Sequence, residues 1–293
     1  AYMLEAAGID FVFLDVSNSE VFIEGHMALF NTWLEMRKEG IDTPQICFFN
    51  GDSGATFDAN MKKLLTTVYS DDNWSKYEEL FYLWNGKPLI FGNMTGVTKA
   101  VKDVLLDKFT VRGNWAWCDK NNYWSWMQEY IIQGSKTRLQ NGGWGRDASG
   151  KYESLAVSLG HHATSSIGRS FVNNRQPNNK LGDWEFSSIE RAGQGLCFAN
   201  EFKAVQNLMA DNIPADQPFC LLITGWNEWI AGGTRLDAEQ NFCNGKADFL
   251  YVDNFNAEFS RDAEPMRNCN GYGFGDNYYY QMVDVIRQYK GIA

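Results

Sequence analysis

Short apolar runs alternate with amphipathic stretches along most of the chain. The runs are rich in β-branched and aromatic residues, and several end at Asn or Gly, which predicts strands. They cover residues 11–17, 45–50, 87–93, 109–117, 154–160, 219–229 and 249–255. Most are continuously apolar, as is typical of parallel strands covered on both faces.

The stretches between these runs carry apolar residues at helical spacing. Helices are predicted near residues 26–39, 59–69, 97–106, 198–210 and 277–291. In the first, Phe30, Trp33 and Leu34 share a face, and Gly40 is the expected end. Gly291 is the expected end of the last helix. Strands that alternate with helices indicate βαβ units and therefore an α/β fold.

The start of the chain bears on the strand count. The opening "AYMLEAAGIDFVFLD" predicts the last turns of a helix running directly into a strand, so one strand is expected upstream. With seven strands in the chain this makes eight, and we expect a (β/α)8 TIM barrel that lacks its first strand and forms one domain over residues 1–293. An inert fragment with unpaired strand edges is the alternative.

Composition and charge narrow the range of possible functions. Hydrophobic residues make up 44% and charged residues 21%, which is globular composition, and no apolar run approaches the length of a membrane span. A net charge of −10 without a Lys/Arg stripe argues against nucleic acid. Eleven tryptophans, several of them in Gly/Asn-rich segments, favour a carbohydrate partner. A monomer that binds no membrane is expected.

The six cysteines bear on redox state and metal binding. They show no CxxC spacing, so a zinc site is not expected. Cys47 and Cys220 lie in apolar runs and are predicted to be buried thiols. Cys243 and Cys269 lie in polar segments where one disulfide would suit a secreted, periplasmic or cell-surface protein.

No cofactor is expected from the sequence. The acidic residues Asp253, Asp262 and Glu264 could bind a structural calcium ion, but they lack EF-hand spacing. Loop caps and salt bridges are the commoner role for such residues.

Nearly every predicted strand ends in polar or aromatic residues, the position at which barrel enzymes build their active sites. The candidates are Asp15, Asn18, Asn50, Asp52, Asn93, Arg112, Asn114, Trp115, Trp117, Asp119, His161, His162, Trp226, Asn227, Glu228 and Trp229.

Glu228 is the leading catalytic candidate. It follows an apolar run and lies between Trp226 and Trp229, so desolvation is expected to raise its pKa toward that of a general acid. A salt-bridged carboxylate at the barrel rim is the alternative. Asn227 beside it is expected to bond a sugar hydroxyl or to hold the carboxyl group.

A glycosidase needs a second carboxyl group, about 5 to 5.5 Å from the first for retention or about 6.5 to 9.5 Å for inversion. The candidates for this role are Asp237, Asp52, Asp15 and Asp119.

His161, His162 and Arg112 are predicted to contact substrate. Adjacent histidines point in different directions, which argues against a shared metal ion. Arg112 would clamp an acidic sugar or pair with Asp15, and the pairing is the commoner arrangement.

The segment "GWNEWIAGGTRLD" at residues 225–237 resembles the signature near the end of barrel glycoside hydrolases of families 99 and 71, including the WbsX-like group. "AGIDFVFLD" and "GKPLIF" follow the same order, and the tail resembles a subgroup of bacterial barrel proteins. The resemblance implies that Glu228 matches the family's glutamate after Asn and that Asp237 matches the acid that follows. Family 99 has a second catalytic carboxylate three positions after the first, where this chain has Ala231.

These observations favour a glycoside hydrolase that degrades a polysaccharide or glycan in a Trp-lined cleft. A non-catalytic carbohydrate-binding barrel is one alternative, because Ala231 departs from the family pattern. A polysaccharide lyase or esterase that uses His161, His162, Arg112 and a tyrosine is the other.

Overall fold

The structure is a computed structural model, and it falls into two compact units. It describes residues 1–134, 136–161, 167–172, 175, 195–228, 234–235, 249–250, 258–265 and 275–292, with only the backbone for 234–235 and 249–250. Unit 1 comprises Ala1–Trp124 and Gly145–Lys151, and unit 2 comprises Ser125–Trp144 and Tyr152–Ala293.

The described elements show a mixed α/β fold. The strands are β1 (Phe11–Asp15), β2 (Gln45–Phe49), β3 (Leu83–Trp84), β4 (Lys87–Phe91), β5 (Thr110–Trp115), β6 (Tyr123–Ser125), β7 (Glu129–Gln133), β8 (Lys136–Asn141), β9 (Gly145–Arg146), β10 (Tyr152–Ser158), β11 (Cys220–Thr224), β12 (Thr234–Arg235) and β13 (Phe249–Leu250). The α-helices are α1 (Tyr2–Ala6), α2 (Ile23–Lys38), α3 (Gly54–Thr66), α4 (Asp71–Tyr77), α5 (Lys99–Lys108), α6 (Leu196–Asn212) and α7 (Asn277–Lys290), with a 3-10 turn at Glu78–Leu80.

Unit 1 is built on a parallel sheet whose neighbours follow chain order. β1, β2, β4 and β5 pair in parallel, with β6 beyond β5. β3 forms an antiparallel hairpin with β4 through Asn85 and Gly86, both at positive φ, as a tight hairpin turn requires. Four residues of β2 and four of β4 are buried in succession, so the predicted covering of both strand faces is confirmed.

Aromatic rings fill the core of unit 1. Phe30 of α2 packs edge-on against Phe48 of β2 and Phe81, while Phe57 of α3 is fully buried. The predicted face of α2 is confirmed, and the helix ends where Gly40 takes φ 88° and Ile41 N–H bonds the Met36 carbonyl.

Unit 2 pairs a second set of parallel strands with helices. β10 and β11 are parallel, with Ser158 opposite Thr224 at their carboxyl ends. β7 pairs antiparallel with β8, and β12 pairs antiparallel with β13. Helix α6 packs on β10, and α7 ends at Gly291 as predicted, with φ 65°.

The structure confirms an α/β fold, and no closed barrel is found among the described strands. The predicted strand over 219–229 is too long: β11 stops at Thr224, because Gly225 at φ 91° turns the chain. The helix predicted from residue 59 begins at Gly54, where the Ser53 hydroxyl accepts the Thr56 amide. None of the described helices has the length and apolar character that a bilayer span needs.

Close packing at Gly92 provides a test of the unit 1 core. A Cβ atom at Gly92 would lie 2.5 Å from the buried Phe57 ring, so Gly92→Ala should destabilise the fold by about 1–3 kcal/mol. Gly25 in α2 has no atom within 4 Å of its added Cβ, and Gly25→Ala should stabilise by up to about 1 kcal/mol. Urea unfolding measures both, and equal effects of the same sign would contradict this packing.

Asp58 predicts a pH dependence of stability. Hydrogen bonds from Lys62, and from the side chain and amide of Thr98 before α5, lower the pKa of Asp58 to about 2 from its usual 3.8. A depressed folded-state pKa stabilises the fold above the unfolded value, and this contribution is lost as pH falls from 3.8 through about 2.

Asp58→Asn should therefore lower the thermal midpoint at neutral pH and have a vanishing effect below pH about 2. The control Asp103→Asn removes an exposed ion pair with Lys99 and should change the midpoint little at either pH. A midpoint difference for Asp58→Asn that persists in acid would count against the assignment.

Candidate functional site

The carboxyl ends of the unit 1 strands converge through buried amides. Asn50, which follows β2, donates to the Phe91 carbonyl at the end of β4 at 3.0 Å. Asn60 of α3 donates to the Val16 carbonyl after β1 at 2.8 Å and to Asn50 Oδ1 at 3.2 Å. These bonds hold three strand ends together, as the parallel arrangement predicts.

Asp52 lies at the centre of this edge of unit 1. Its Oδ1 accepts the Tyr123 hydroxyl at 3.0 Å, and its carbonyl accepts Asn93 Nδ2 at 3.0 Å. Burial, together with this bond to Asp52, raises the pKa of Tyr123, which therefore stays a hydrogen-bond donor. Asn93 Oδ1 also accepts the Thr95 amide. Two predicted site residues are thus brought together, and Tyr123 was not predicted.

Asp15 and Trp115 are exposed at the same edge. Asp15 Oδ1 accepts the Ser17 amide at 2.7 Å, so this carboxylate holds neighbouring backbone. Trp115 is 45% exposed, and its ring lies 3.4 Å from the position of a Cβ at Gly51, where φ is 68°. The loop after β2 therefore approaches the end of β5 closely.

Arg112 and Asn114 of β5 are both buried. Arg112 Nη1 donates to Asn122 Oδ1 at 3.1 Å and to the Val111 carbonyl. Both amide atoms of Asn114, which is fully buried, have no hydrogen-bond partner among the described residues, and Trp117 Nε1 is in the same state. Buried polar atoms of this kind need a partner, so Asn114 stays a substrate-binding prediction.

In unit 2 the end of β11 presents Glu228. The Glu228 amide donates to Asp262 Oδ1 at 2.8 Å, and Arg261 Nη2 lies 3.9 Å from Glu228 Oε2. Arg261 also lies over the Trp126 ring at 5.3 Å from the centroid. The segment at 261–262 therefore fixes the backbone of Glu228 and restrains its side chain.

The sequence predicts a buried environment for Glu228, and the structure shows a more open one. Its side chain is 51% exposed, because the chain has left β11 four residues earlier. Trp226 packs edge-on against Tyr279 at 6.4 Å, and Asn227 is exposed. Glu228 is therefore a half-exposed carboxylate with an arginine nearby, where the sequence predicted an enclosed one.

A fully buried arginine holds the segment that positions Glu228. Arg169 Nε donates to the Ser260 carbonyl and Nη2 to the Asp262 carbonyl, both at 2.7 Å. Its guanidinium lies 3.8 Å from the centroid of the Tyr278 ring of α7. Glu258 Oε1 accepts the amide and hydroxyl of Ser170. Burial lowers the pKa of Arg169, and contacts with Tyr278, Asp262 and Glu258 oppose that shift.

A second cluster of polar side chains in unit 2 links β10 to α6. His161 Nε2 and Glu201 Oε1 are 2.5 Å apart, and Glu201 Oε2 accepts the Ser158 amide at 2.6 Å. Cys197, one turn before Glu201, places its sulfur 3.9 Å from Oε1. Burial raises the pKa of Glu201, partly offset by His161, and burial also raises the pKa of the Cys197 thiol.

His161 was a sequence candidate, whereas Cys197 and Glu201 were not. The available signal was the C-x-x-x-E spacing in a predicted helix, which puts both side chains on one face. The imidazole is fully buried, so it is not placed to abstract a proton from a polysaccharide. The lyase alternative therefore gains no support from His161.

Several predicted residues lie outside the described residues. They are Trp229, His162, Asp237, Ala231, the calcium candidate Asp253, and the disulfide candidates Cys243 and Cys269. Cys47 and Cys220 are buried thiols, as predicted. Asp119 pairs with Arg146.

Comparison with known protein families, with curated proteins and with solved structures finds no match for this chain. The resemblance to families 99 and 71 stays a prediction.

The hydrogen bond between Asp262 and Glu228 predicts that the Glu228 amide is protected from hydrogen exchange. Asp262→Ala removes the acceptor of the Glu228 amide, so hydrogen exchange of that amide should accelerate roughly 5- to 100-fold. Glu264→Ala, two residues away, should leave this amide unchanged. Mass spectrometry of a peptide that ends after Glu228 measures the exchange rate. Equal exchange rates in the two variants would refute the contact.

Proposed function

We propose that this protein is a glycoside hydrolase in which Glu228 acts as general acid/base on a glycosidic bond. The observation that carries the proposal is the exposed carboxylate at the carboxyl end of β11, with its amide held by Asp262 and its side chain near Arg261. A catalytic carboxylate must be accessible and positioned, and this one is half exposed on a backbone that Asp262 holds. The resemblance of "GWNEW" to the family signature supports the same residue.

The proposal includes a (β/α)8 barrel fold. Its support is the strand order, because β1, β2, β4 and β5 are parallel neighbours in chain order, as are β10 and β11. Helices follow β1, β2 and β4 along the chain, as in successive βα units.

Asp237 and Asp52 are the proposed partners of Glu228. Asp237 matches the acidic residue that follows the catalytic glutamate in the family signature. It is the first candidate, because Ala231 stands where family 99 has its second catalytic carboxylate. Asp52 is partly buried and is hydrogen-bonded to Tyr123, which gives it a fixed orientation. The distance between two carboxyl groups then determines retention or inversion.

Carbohydrate is the proposed partner, and no cofactor is needed for this chemistry. Trp115 is exposed at a strand end of unit 1, and Trp226 and Asn227 flank the candidate carboxylate in unit 2. Indole faces pack on the C–H faces of sugars, while amides bond their hydroxyls. Export of the protein to a compartment that contains polysaccharide is part of the proposal.

One observation favours a second function, a non-catalytic carbohydrate-binding barrel. Glu228 is half exposed, so it lacks the apolar enclosure that usually tunes a catalytic acid. Ala231 points the same way.

Glu228→Gln separates the two functions. The variant keeps the size of the side chain but cannot transfer a proton, so kcat/KM on a responsive glycan should fall by about 10²- to 10⁴-fold. The charge-matched control Asp211→Asn, an exposed residue of α6, should retain activity. Reducing-end release from a glycan panel gives the rate, and circular dichroism checks folding.

Unchanged activity in Glu228→Gln would overturn the catalytic assignment. Glycan binding by wild-type protein, measured by calorimetry, without turnover of any bound glycan would favour the binding function.

A further inference from the structure

The cluster of Cys197, Glu201 and His161 contains three types of metal-ligating group. Their ligand atoms all lie within 4.8 Å of one another, and the three residues are 1%, 4% and 0% exposed. Cys197 and Glu201 are four residues apart in α6, and His161 follows β10. Two rigid elements therefore aim three donors at one point, without the mobility of surface acidic groups.

The separations are close to those of a tetrahedral zinc site. With bond lengths of about 2.0–2.3 Å, donors around zinc lie about 3.3–3.6 Å apart. The Cys197 sulfur is 3.9 Å from Glu201 Oε1, and His161 Nε2 is 2.5 Å from the same oxygen. An ion would require the His–Glu contact to open by about 0.8 Å and the Cys–Glu contact to shorten by about 0.4 Å. Side-chain rotations achieve such shifts.

The surroundings hold Glu201 as a metal ligand needs to be held. Ser158 N–H occupies Oε2, which leaves Oε1 for the shared point between His161 and Cys197. The other ring nitrogen of His161, Nδ1, is buried and has no hydrogen-bond partner among the described residues. The proton that lies between Nε2 and Glu201 Oε1 moves to Nδ1 or leaves to solvent when an ion binds, and Nε2 then presents its lone pair.

A small polar pocket lies beside the cluster. His161 and Glu201 line it together with Glu129, Gln140 and Asn200. Its volume is about 50 Å³, and one water needs about 10–15 Å³ by the same measure, so the pocket holds a few waters and no sugar ring. It provides a fourth ligand position for water.

We propose that His161 Nε2, Cys197 Sγ and Glu201 Oε1 bind one divalent ion of the zinc class, with water from the pocket as fourth ligand. On binding, the Cys197 S–H bond breaks, its proton leaves to solvent and the sulfur forms a bond to the metal. Thiolate and carboxylate together neutralise the divalent charge, which removes the cost of burying it unpaired. The site is separate from Glu228 and does not rest on the proposed glycosidase activity.

Metal content and cobalt spectroscopy test this site on the full chain. Protein is stripped with a chelator, reloaded with Zn²⁺ or Co²⁺ alone, and analysed for bound metal. The variants are Cys197→Ser and Glu201→Gln, and the matched control is Cys220→Ser, which replaces another buried thiol of unit 2.

Wild type and Cys220→Ser should bind one ion per chain, and Co²⁺ should show a thiolate charge-transfer band. Loss of an outer-shell partner alone weakens metal affinity by 10–100-fold, so loss of the Cys197 ligand should weaken it by more than about 100-fold and abolish that band. Glu201→Gln should weaken affinity but keep the band, because the sulfur remains.

Three results would overturn the proposal. They are no stoichiometric binding by wild type, equal affinity in Cys197→Ser, or an equal loss in Cys220→Ser. Circular dichroism of each stripped variant verifies folding. If Glu201→Gln does not fold, Cys197→Ser decides alone, because the exchange of sulfur for oxygen preserves the shape of the side chain.

Discussion

The buried guanidinium of Arg169 is the interaction on which the Glu228 region depends. It donates to the Ser260 and Asp262 carbonyls, and the Asp262 carboxylate in turn accepts the Glu228 amide. A guanidinium inside a protein is costly unless its donors are bonded, and here Nε and Nη2 donate to two backbone carbonyls and to the Ser260 hydroxyl while the Tyr278 ring lies against the guanidinium. Removing one member would leave the others buried and unpaired, so the segment behaves as one structural unit.

Parallel pairing explains how much of the fold followed from the sequence. Continuous apolar runs at β2 and β4 predict covered parallel strands, because strands buried on both faces lack a polar alternation, whereas burial alternates along the apolar β11. Gly40 and Gly291 predicted helix ends, because a left-handed residue costs glycine little. The β3–β4 hairpin was missed although Asn85-Gly86 is a strong hairpin signal and follows the apolar residues 80–84.

The site was less predictable, because its contacts join residues distant in sequence. Asp52 and Asn93 were named from strand ends, and the structure brings them together. Nothing local to Tyr123 indicates that its hydroxyl reaches Asp52, which lies 71 residues earlier. Glu228 was expected to be buried because it follows an apolar run, but the turn at Gly225 carries it into solvent. Periodicity predicts elements, whereas burial after an element ends depends on tertiary contacts.

Glu201 and Glu228 show how one unit gives two carboxylates different chemistry. Glu201 is enclosed, so burial raises its pKa, and its oxygens are occupied by Ser158 and His161. Glu228 is open to solvent and is fixed through its backbone amide, which leaves its side chain available to a ligand from outside. An enclosed carboxylate with a thiol and an imidazole suits a bound ion, because a cation removes the cost of the buried charge. An exposed one suits an external substrate, because its charge is hydrated until that substrate displaces the water. The metal-site proposal therefore depends on the burial of Glu201, and the catalytic proposal depends on the exposure of Glu228. A result for one proposal does not decide the other.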